Sequence, residues 1–384
     1  MELFLALDPA LLPRLRAHPI VKSCKIGRAR TSMGRTVSLL GGAAWRAEMT
    51  IDQSSGCRIG LRLIEGKPAP LLALLQDLAD RLQVRPIPEI GPATEPVKTK
   101  LPPLPADLEP GEALRQIGRS GLAHFLANQE CLIATGDPES IHQMRVALRR
   151  LRSAMGLFKS VLDDPLSQAV RADLRWMQKA LGAARDHDVL LGETLPAVDS
   201  GLGLDGLRRK IEEMRKAGRA AVLKEIQAPH FAKALLRLAC WIEDAGEHGG
   251  EPIRAVALAV VQKRYRKLRH RMADFRELDE ERRHECRIEI KKLRYAAEFH
   301  AAMATDRKSQ KFISALAALQ EDLGRLNDIA TAQILLRQIA EHSSPEIAWA
   351  AGRVVGWHQK SVADLLAQAW HHWLEFEELT PFWA

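Results

Sequence analysis

Tyrosine is nearly missing from this 384-residue chain, with two residues, and aromatic side chains as a whole make up 5%. That scarcity removes the usual platform of a single-strand nucleic-acid reader, which interleaves aromatic rings with basic side chains. Only Tyr265 and Tyr295 sit beside basic clusters. Cysteine is also scarce: five residues, at 24, 57, 131, 240 and 286, far apart and with no Cys-x-x-Cys. An odd, dispersed set argues against a disulfide framework or a zinc site and suits reduced thiols in a cytoplasm. No segment approaches the ~18 consecutive apolar residues of a spanning helix, so no membrane role is expected. The start, Met1 to Pro9, has no basic n-region, and Asp8 interrupts its short apolar run, so no secretory leader is expected. Glycine-rich nucleotide loops, His-Glu-x-x-His and Gly-x-Ser-x-Gly are all missing.

Positive charge is what the chain has in excess, with 56 Lys and Arg against 48 Asp and Glu, a net charge of +8. The excess is uneven. Residues 1–105 carry 15 basic and 9 acidic side chains, leaving 41 and 39 for residues 106–384. The larger part is therefore close to neutral, and an anion site there has to come from local stripes rather than from overall charge.

Such a stripe runs through Ile141 to Arg152. At 100° per residue Ile141, Met144, Leu148, Leu151, Met155 and Phe158 fall on one apolar face. His142, Arg145, Arg149 and Arg152 keep the same spacing on a second face beside it. Like charges three and four apart repel by about 0.2–0.5 kcal/mol per pair on an isolated helix, and local rule-breaking of this kind tends to mark function. The pattern returns 142 residues later: His284, Arg287, Lys291, Lys292, Leu293 and Arg294 fall on His142, Arg145, Arg149, Arg150, Leu151 and Arg152. The register continues into the next helix, where Gln320, Leu323, Gly324 and Asp328 fall on Gln178, Leu181, Gly182 and Asp186. This is an internal duplication, longer than a solenoid repeat, so each half reads as a multi-helix unit.

The His-x-x-Arg-x-x-x-Arg-Arg-x-Arg pattern, its Lys-Lys-Leu-Arg-Tyr variant and the Leu-Gly helix after each resemble the CHAD domain, the conserved histidine α-helical domain. The resemblance covers roughly residues 108–384. It implies a mainly α fold of two pseudo-symmetric four-helix bundles, with halves at about 108–245 and 246–384, whose basic helices line a shared surface that binds inorganic polyphosphate. No cofactor is expected, and the dispersed thiols suit a cytoplasmic place, with a seat on polyphosphate granules, scaffolding of a partner and sensing of phosphate stores as the open roles.

Ahead of that domain, residues 1–85 read as a small α+β unit. Cys57 to Ile64 alternates as a strand between Ser54-Ser55-Gly56 and Glu65-Gly66, and residues 69–84 form a helix with Leu72, Leu75, Leu78, Ala79 and Leu82 inward. This segment resembles a truncated CYTH domain, a triphosphate-processing barrel, but Phe4 stands at its lysine position and Arg58, Gly60 and Arg62 at its metal-binding glutamates. Without a carboxylate cluster a divalent cation has nothing to hold it, so neither catalysis nor metal binding is expected. Residues 86–107 are proline-rich and read as a semi-rigid linker. Beyond Pro110, breaks at Gly136-Asp137-Pro138, Asp163-Asp164-Pro165, Ala228-Pro229, Gly249 to Pro252 and Ser344-Pro345 separate helices of bundle length.

Besides the two stripes, with Arg150 and Lys292 included, the cluster from Lys263 to Arg271 supplies Lys263, Arg264, Lys267 and Arg271 as further polyphosphate contacts. Guanidinium forks suit phosphate oxygens. The competing reading is structural, with Asp186, Asp188, Glu321 and Asp328 as salt-bridge partners for the stripes and a solvated face for the Lys263 cluster. His142 and His284 read equally as phosphate contacts or as helix-start packing. Asp186-His187-Asp188 is the one compact acid–histidine group, and its equivalent, Asp328-Ile329-Ala330, keeps only the first aspartate. Trp349, Trp357, Trp370, Trp373 and Trp383 make the C-terminal region either core or a homodimer surface. The expectation is a non-catalytic polyphosphate-binding protein. Alternatives are a nucleic-acid backbone binder and a metal-dependent phosphohydrolase of the CYTH type.

Overall fold

The computed structural model describes residues 2–32, 35–42, 44–54, 57–89, 91, 93–158, 164–198, 203–245, 251–301, 303 and 307–383. The expected turn and break residues Ser55, Gly56, Asp163, Gly249 and Gly250 lie outside them. The chain divides into two compact units, one of residues 1–100, 109–181 and 220–250, the other of 101–108, 182–219 and 251–384.

The first unit begins with β1 (Glu2–Leu7), α1 (Leu12–Ala17), α2 (Pro19–Cys24), β2 (Lys25–Ser32), β3 (Arg35–Gly42), β4 (Trp45–Asp52), β5 (Cys57–Gly66), α3 (Ala69–Leu82) and β6 (Arg85–Ile87). Its strands form one six-stranded antiparallel sheet in the order β2-β3-β4-β5-β1-β6. Period-two alternation sorts β5: Cys57, Ile59 and Leu61 are buried, while Arg58 and Arg62 take the opposite face. Gly66 ends the strand with φ +88°, and a Cβ there would meet Ala44 O at 2.1 Å, so the close approach to the start of β4, where Gly66 pairs with Trp45, admits only glycine. The inner face of α3 is Leu71, Leu74, Leu75, Leu78, Ala79 and Leu82. Leu72, expected inward, is half-buried, because the helix is rotated toward Leu71 and Leu74.

Helices follow as α4 (Pro110–Thr135), α5 (Pro138–Leu157), α6 (Pro165–Ala180), α7 (Gly182–Val189), α8 (Asp205–Ile226) and α9 (Pro229–Ala245). Gly136 closes α4 with φ 70°, and the Asp137 carboxylate then accepts the Glu139 N–H to open α5. Asp164 caps α6 in the same way through Ser167 N. In the first unit α4 packs against α5 and α9, and α3 of the sheet lies against α9. The proline-rich stretch is anchored to α4 at Val97. Arg85 is ion-paired with Glu130, the Val97 N–H donates to Asn128 Oδ1 at 3.0 Å, and Val97 O accepts from Asn128 Nδ2 at 3.0 Å. Proline cannot extend a sheet or helix here, but its neighbours' peptide groups still need partners, and polar residues of α4 supply them.

The second unit holds α7, the first part of α8, and α10 (Ile253–Met272), α11 (Glu280–Ala301), α12 (Arg307–Glu341) and α13 (Pro345–Glu377). Leu190, Leu195, Leu207 and Ile211 share a buried cluster with Leu336, Ile339, Ala350 and Val354. The fold is mainly helical with a small α+β unit at its start, as expected. The tryptophans divide: Trp373 is buried and Trp370 stacks on Phe275, while Trp349 and Trp357 are exposed. No helix among the described residues is long and apolar enough to cross a membrane.

Candidate functional site

The expected apolar face of the first stripe is the core face of α5: Ile141, Met144, Leu148, Leu151, Met155 and Phe158 are all buried. Close helix approach sets its height, since a Cβ on Gly121 of α4 would lie 2.8 Å from the Leu151 side chain. With that face fixed, the cations are carried round to the adjacent surface. Arg145 Nη1 donates to Gln178 O at 2.9 Å, and Arg152 Nη1 donates to Gln178 Oε1 on the same residue of α6. Arg150 reaches the other way and donates to Thr99 O of the docked segment. Gln178 thus accepts one hydrogen bond from each of two guanidinium groups two turns apart. Arg152 stays exposed, and burial of part of its side chain together with the Arg175 charge pushes its pKa down. Among the described residues neither Arg152 nor Arg175 has a carboxylate partner. The duplicated motif does not contain Arg175, whose only sequence signal is that Arg171, Arg175 and Lys179 recur every fourth residue along α6.

The second stripe is built differently. Glu289 of α11 is 3% exposed and faces three cations: Lys267 and Lys292 at 2.9 Å from its Oε1 and Arg264 at 3.5 Å from its Oε2. Burial pushes this carboxyl up, but hydrogen bonds from Lys292 and Lys267 outweigh it and hold it below the usual range. Arg271 is ion-paired with Glu285, and Arg294 with Glu298 at 3.4 Å. Arg287 and Lys291 act on Asp328, whose carboxyl burial nevertheless raises. Glu285, Glu289 and Glu298 fall on Gln143, Ala147 and Gly156 of the first half, so the duplication keeps the cations while the acids belong to the second half alone. Arg294 turns to Glu298, and the equivalent of Gln178, Gln320, has its buried Oε1 without a hydrogen-bond partner among the described residues. Sequence patterning does not reveal Glu289: three after Cys286 and one before Ile290, it falls on the buried side, where a carboxylate is not expected.

The other expected members are placed as follows. Lys263 and His270 are exposed on α10. His284 Nδ1 lies 2.7 Å from Asn327 Oδ1, at the start of α11, so its ring is hydrogen-bonded into the helix that follows. His142 is half-buried at the equivalent place on α5. Two of the acids considered as partners are engaged elsewhere, Asp188 with Arg219 at 3.1 Å and Glu321 with Arg325 at 3.1 Å. His187 is buried, and its pKa is lowered by that burial. Among the described residues no group of three or more His, Cys, Asp or Glu side chains is placed to hold a metal ion.

A sequence model of the CHAD domain matches residues 116–337, more than half of the chain. The crystal structure of the CHAD domain from the plant Ricinus communis is similar with a TM-score of 0.69 at 32% identity, covering 75% of this chain and 98% of that one. PptA from Streptomyces chartreusis shares the fold with a TM-score of 0.53 at 17% identity, covering 70% of this chain and 100% of that one. Among curated proteins no sequence matches. The span of the family match, from within α4 to near the end of α12, takes in both His-x-x-Arg helices and the helix that follows each. This chain belongs to the CHAD domain family.

Proposed function

We propose that the protein binds inorganic polyphosphate, without turning it over, through the basic faces of its duplicated helices. The observation that carries this reading is the α5 face. Arg152 is held by the side chain of the uncharged Gln178, Arg175 stands one turn before Gln178 on α6 and its charge is felt by Arg152, and neither arginine has a carboxylate partner among the described residues. Fixed, outward guanidinium groups offer parallel N–H donors that match phosphate oxygens two at a time. A phosphate chain also supplies the repeated negative charge that a row of cations lacks.

The aromatic residues weigh against nucleic acid as the natural ligand. Tyr295 is buried, and Tyr265 packs edge-on to Phe376 and Trp383, so neither ring is presented for a base. The sheet weighs against a phosphohydrolase. The Arg58 guanidinium lies 4.2 Å from the Phe4 ring centroid, and a Cβ on Gly60 would touch that ring at 3.3 Å. An arginine–aromatic stack occupies the face where metal-binding carboxylates would be needed. The test is a titration with long-chain polyphosphate, tripolyphosphate and a short oligonucleotide at two salt concentrations. Polyphosphate should bind tightest and weaken with salt. Equal binding of all three, or an oligonucleotide preferred over polyphosphate, would overturn the reading.

A further inference from the structure

The two stripes share a pattern but not an electrostatic state. Three cations of the second unit already face a buried carboxylate: Lys267, Lys292 and Arg264 converge on Glu289 from α10 and α11. The equivalent position in the first half is Ala147, which can neutralise nothing. There, Arg152 spends one of its five N–H groups on a neutral amide. Arg175, contributed by α6, has the alanine Ala317 as its counterpart in the second half. The first half therefore carries an added cation where the second carries added acids.

We infer that the two faces are unequal anion sites: Arg152 and Arg175 form the primary phosphate seat, and Glu289 restrains the Lys267, Lys292 and Arg264 cluster from competing for the ligand. The inference rests on the polyphosphate reading and assigns the division of labour within it. Arg152 is bonded to Gln178 and Arg175 stands one turn before it on α6, so a phosphate reaching both relieves their mutual repulsion and displaces only water and counterions. Binding at Lys267 or Lys292 must first break a short contact to a buried carboxylate, leaving that carboxylate less satisfied. The same ligand charge thus gains less in the second unit.

Titration of the full chain with long-chain polyphosphate separates these possibilities, using wild type, Arg175→Gln, the pair Lys267→Gln with Lys292→Gln, and Glu289→Gln. Arg175→Gln is expected to weaken binding about five- to tenfold and to lower the salt slope by about one, as for loss of a phosphate contact. The double lysine variant should change affinity less than about twofold, because those charges were already engaged. Glu289→Gln should tighten binding by about threefold or more as its cations are released. The inference is overturned if Arg175→Gln leaves affinity and slope unchanged, or if the lysine pair costs as much as Arg175. It is also overturned if Glu289→Gln weakens binding while its circular dichroism remains native. Should Glu289→Gln fail to fold, the order of the arginine and lysine variants decides alone. Wild type that does not bind polyphosphate rejects the parent reading first, and the inference with it. Wild type that binds while the variants fall in another order rejects only the inference.

Discussion

Glu289 and Asp328 are both withdrawn from solvent among basic side chains, yet their protonation equilibria move in opposite directions. Hydrogen bonds from Lys292 and Lys267 hold Glu289 below the ordinary range, whereas burial leads at Asp328 and raises it. A depressed carboxyl contributes stability above its unfolded pKa, and that contribution is lost as pH falls through the folded value. A raised carboxyl does the reverse: its contribution is full below the unfolded pKa and is lost as pH rises through the folded one. Glu289→Gln should therefore lower stability at neutral pH, by about 1–2 kcal/mol given that its lysine partners are well solvated, and should flatten the acid limb of the melting profile. Asp328→Asn should melt at or above wild type at neutral pH. Thermal melts of both variants across the acid-to-neutral range check the pair. On mild acidification Asp328 takes up a proton ahead of an ordinary aspartate, which frees Arg287 and Lys291 from its charge. Polyphosphate affinity should then rise, and Asp328→Asn should remove that part of the rise.

Helices α5 and α11 show how a charged face can be changed without harming the core behind it. Charge reversal of Arg145 with Arg149, or of Arg287 with Lys291, should weaken polyphosphate binding and lower its salt dependence. Helical content should persist, since Leu148, Leu151, Ile290 and Leu293 lie fully buried on another face. Circular dichroism beside the binding curves distinguishes this from collapse of the fold. The opposite experiment is Gly121→Val, which drives a branched side chain into Leu151. It should cost about 1–3 kcal/mol as overpacking, read as a lower melting temperature. Both faces of α5 were legible in the sequence because a period of 3.6 sorts them and the copy 142 residues on repeats them. The partners were not. Gln178 recurs as Gln320, but it binds Arg145 through its backbone oxygen, which any residue possesses, so the repeat marks the position without announcing that bond. Docking of the proline-rich segment depends on the Val97 peptide meeting Asn128, a tertiary contact that composition cannot reveal.

At the scale of the whole molecule, affinity should climb with polyphosphate length and then level off, because a longer chain engages more cations at high effective concentration. Tripolyphosphate binding as tightly as long chains in the same titration would contradict this. With Mg²⁺ or Mn²⁺ present, triphosphate should not be hydrolysed, and phosphate release abolished by Glu2→Gln would contradict that. The duplication sets two halves by descent, and packing groups the chain into units of another kind. Residues 182–219 cluster with 251–384, while 220–250 cluster with the sheet and the first helices. Repeats in a sequence record descent, whereas compact units record which apolar faces meet. That division bears on synthesis. Leu190, Leu195, Leu207 and Ile211 leave the ribosome well before Leu336, Ile339 and Val354, the residues that bury them. At about 5–20 residues per second, a gap of roughly 140 residues leaves this apolar surface waiting on the order of ten to thirty seconds for its partner. During that interval the nascent chain has a strong claim on chaperones, and translation speed through residues 220–340 sets how long the claim lasts.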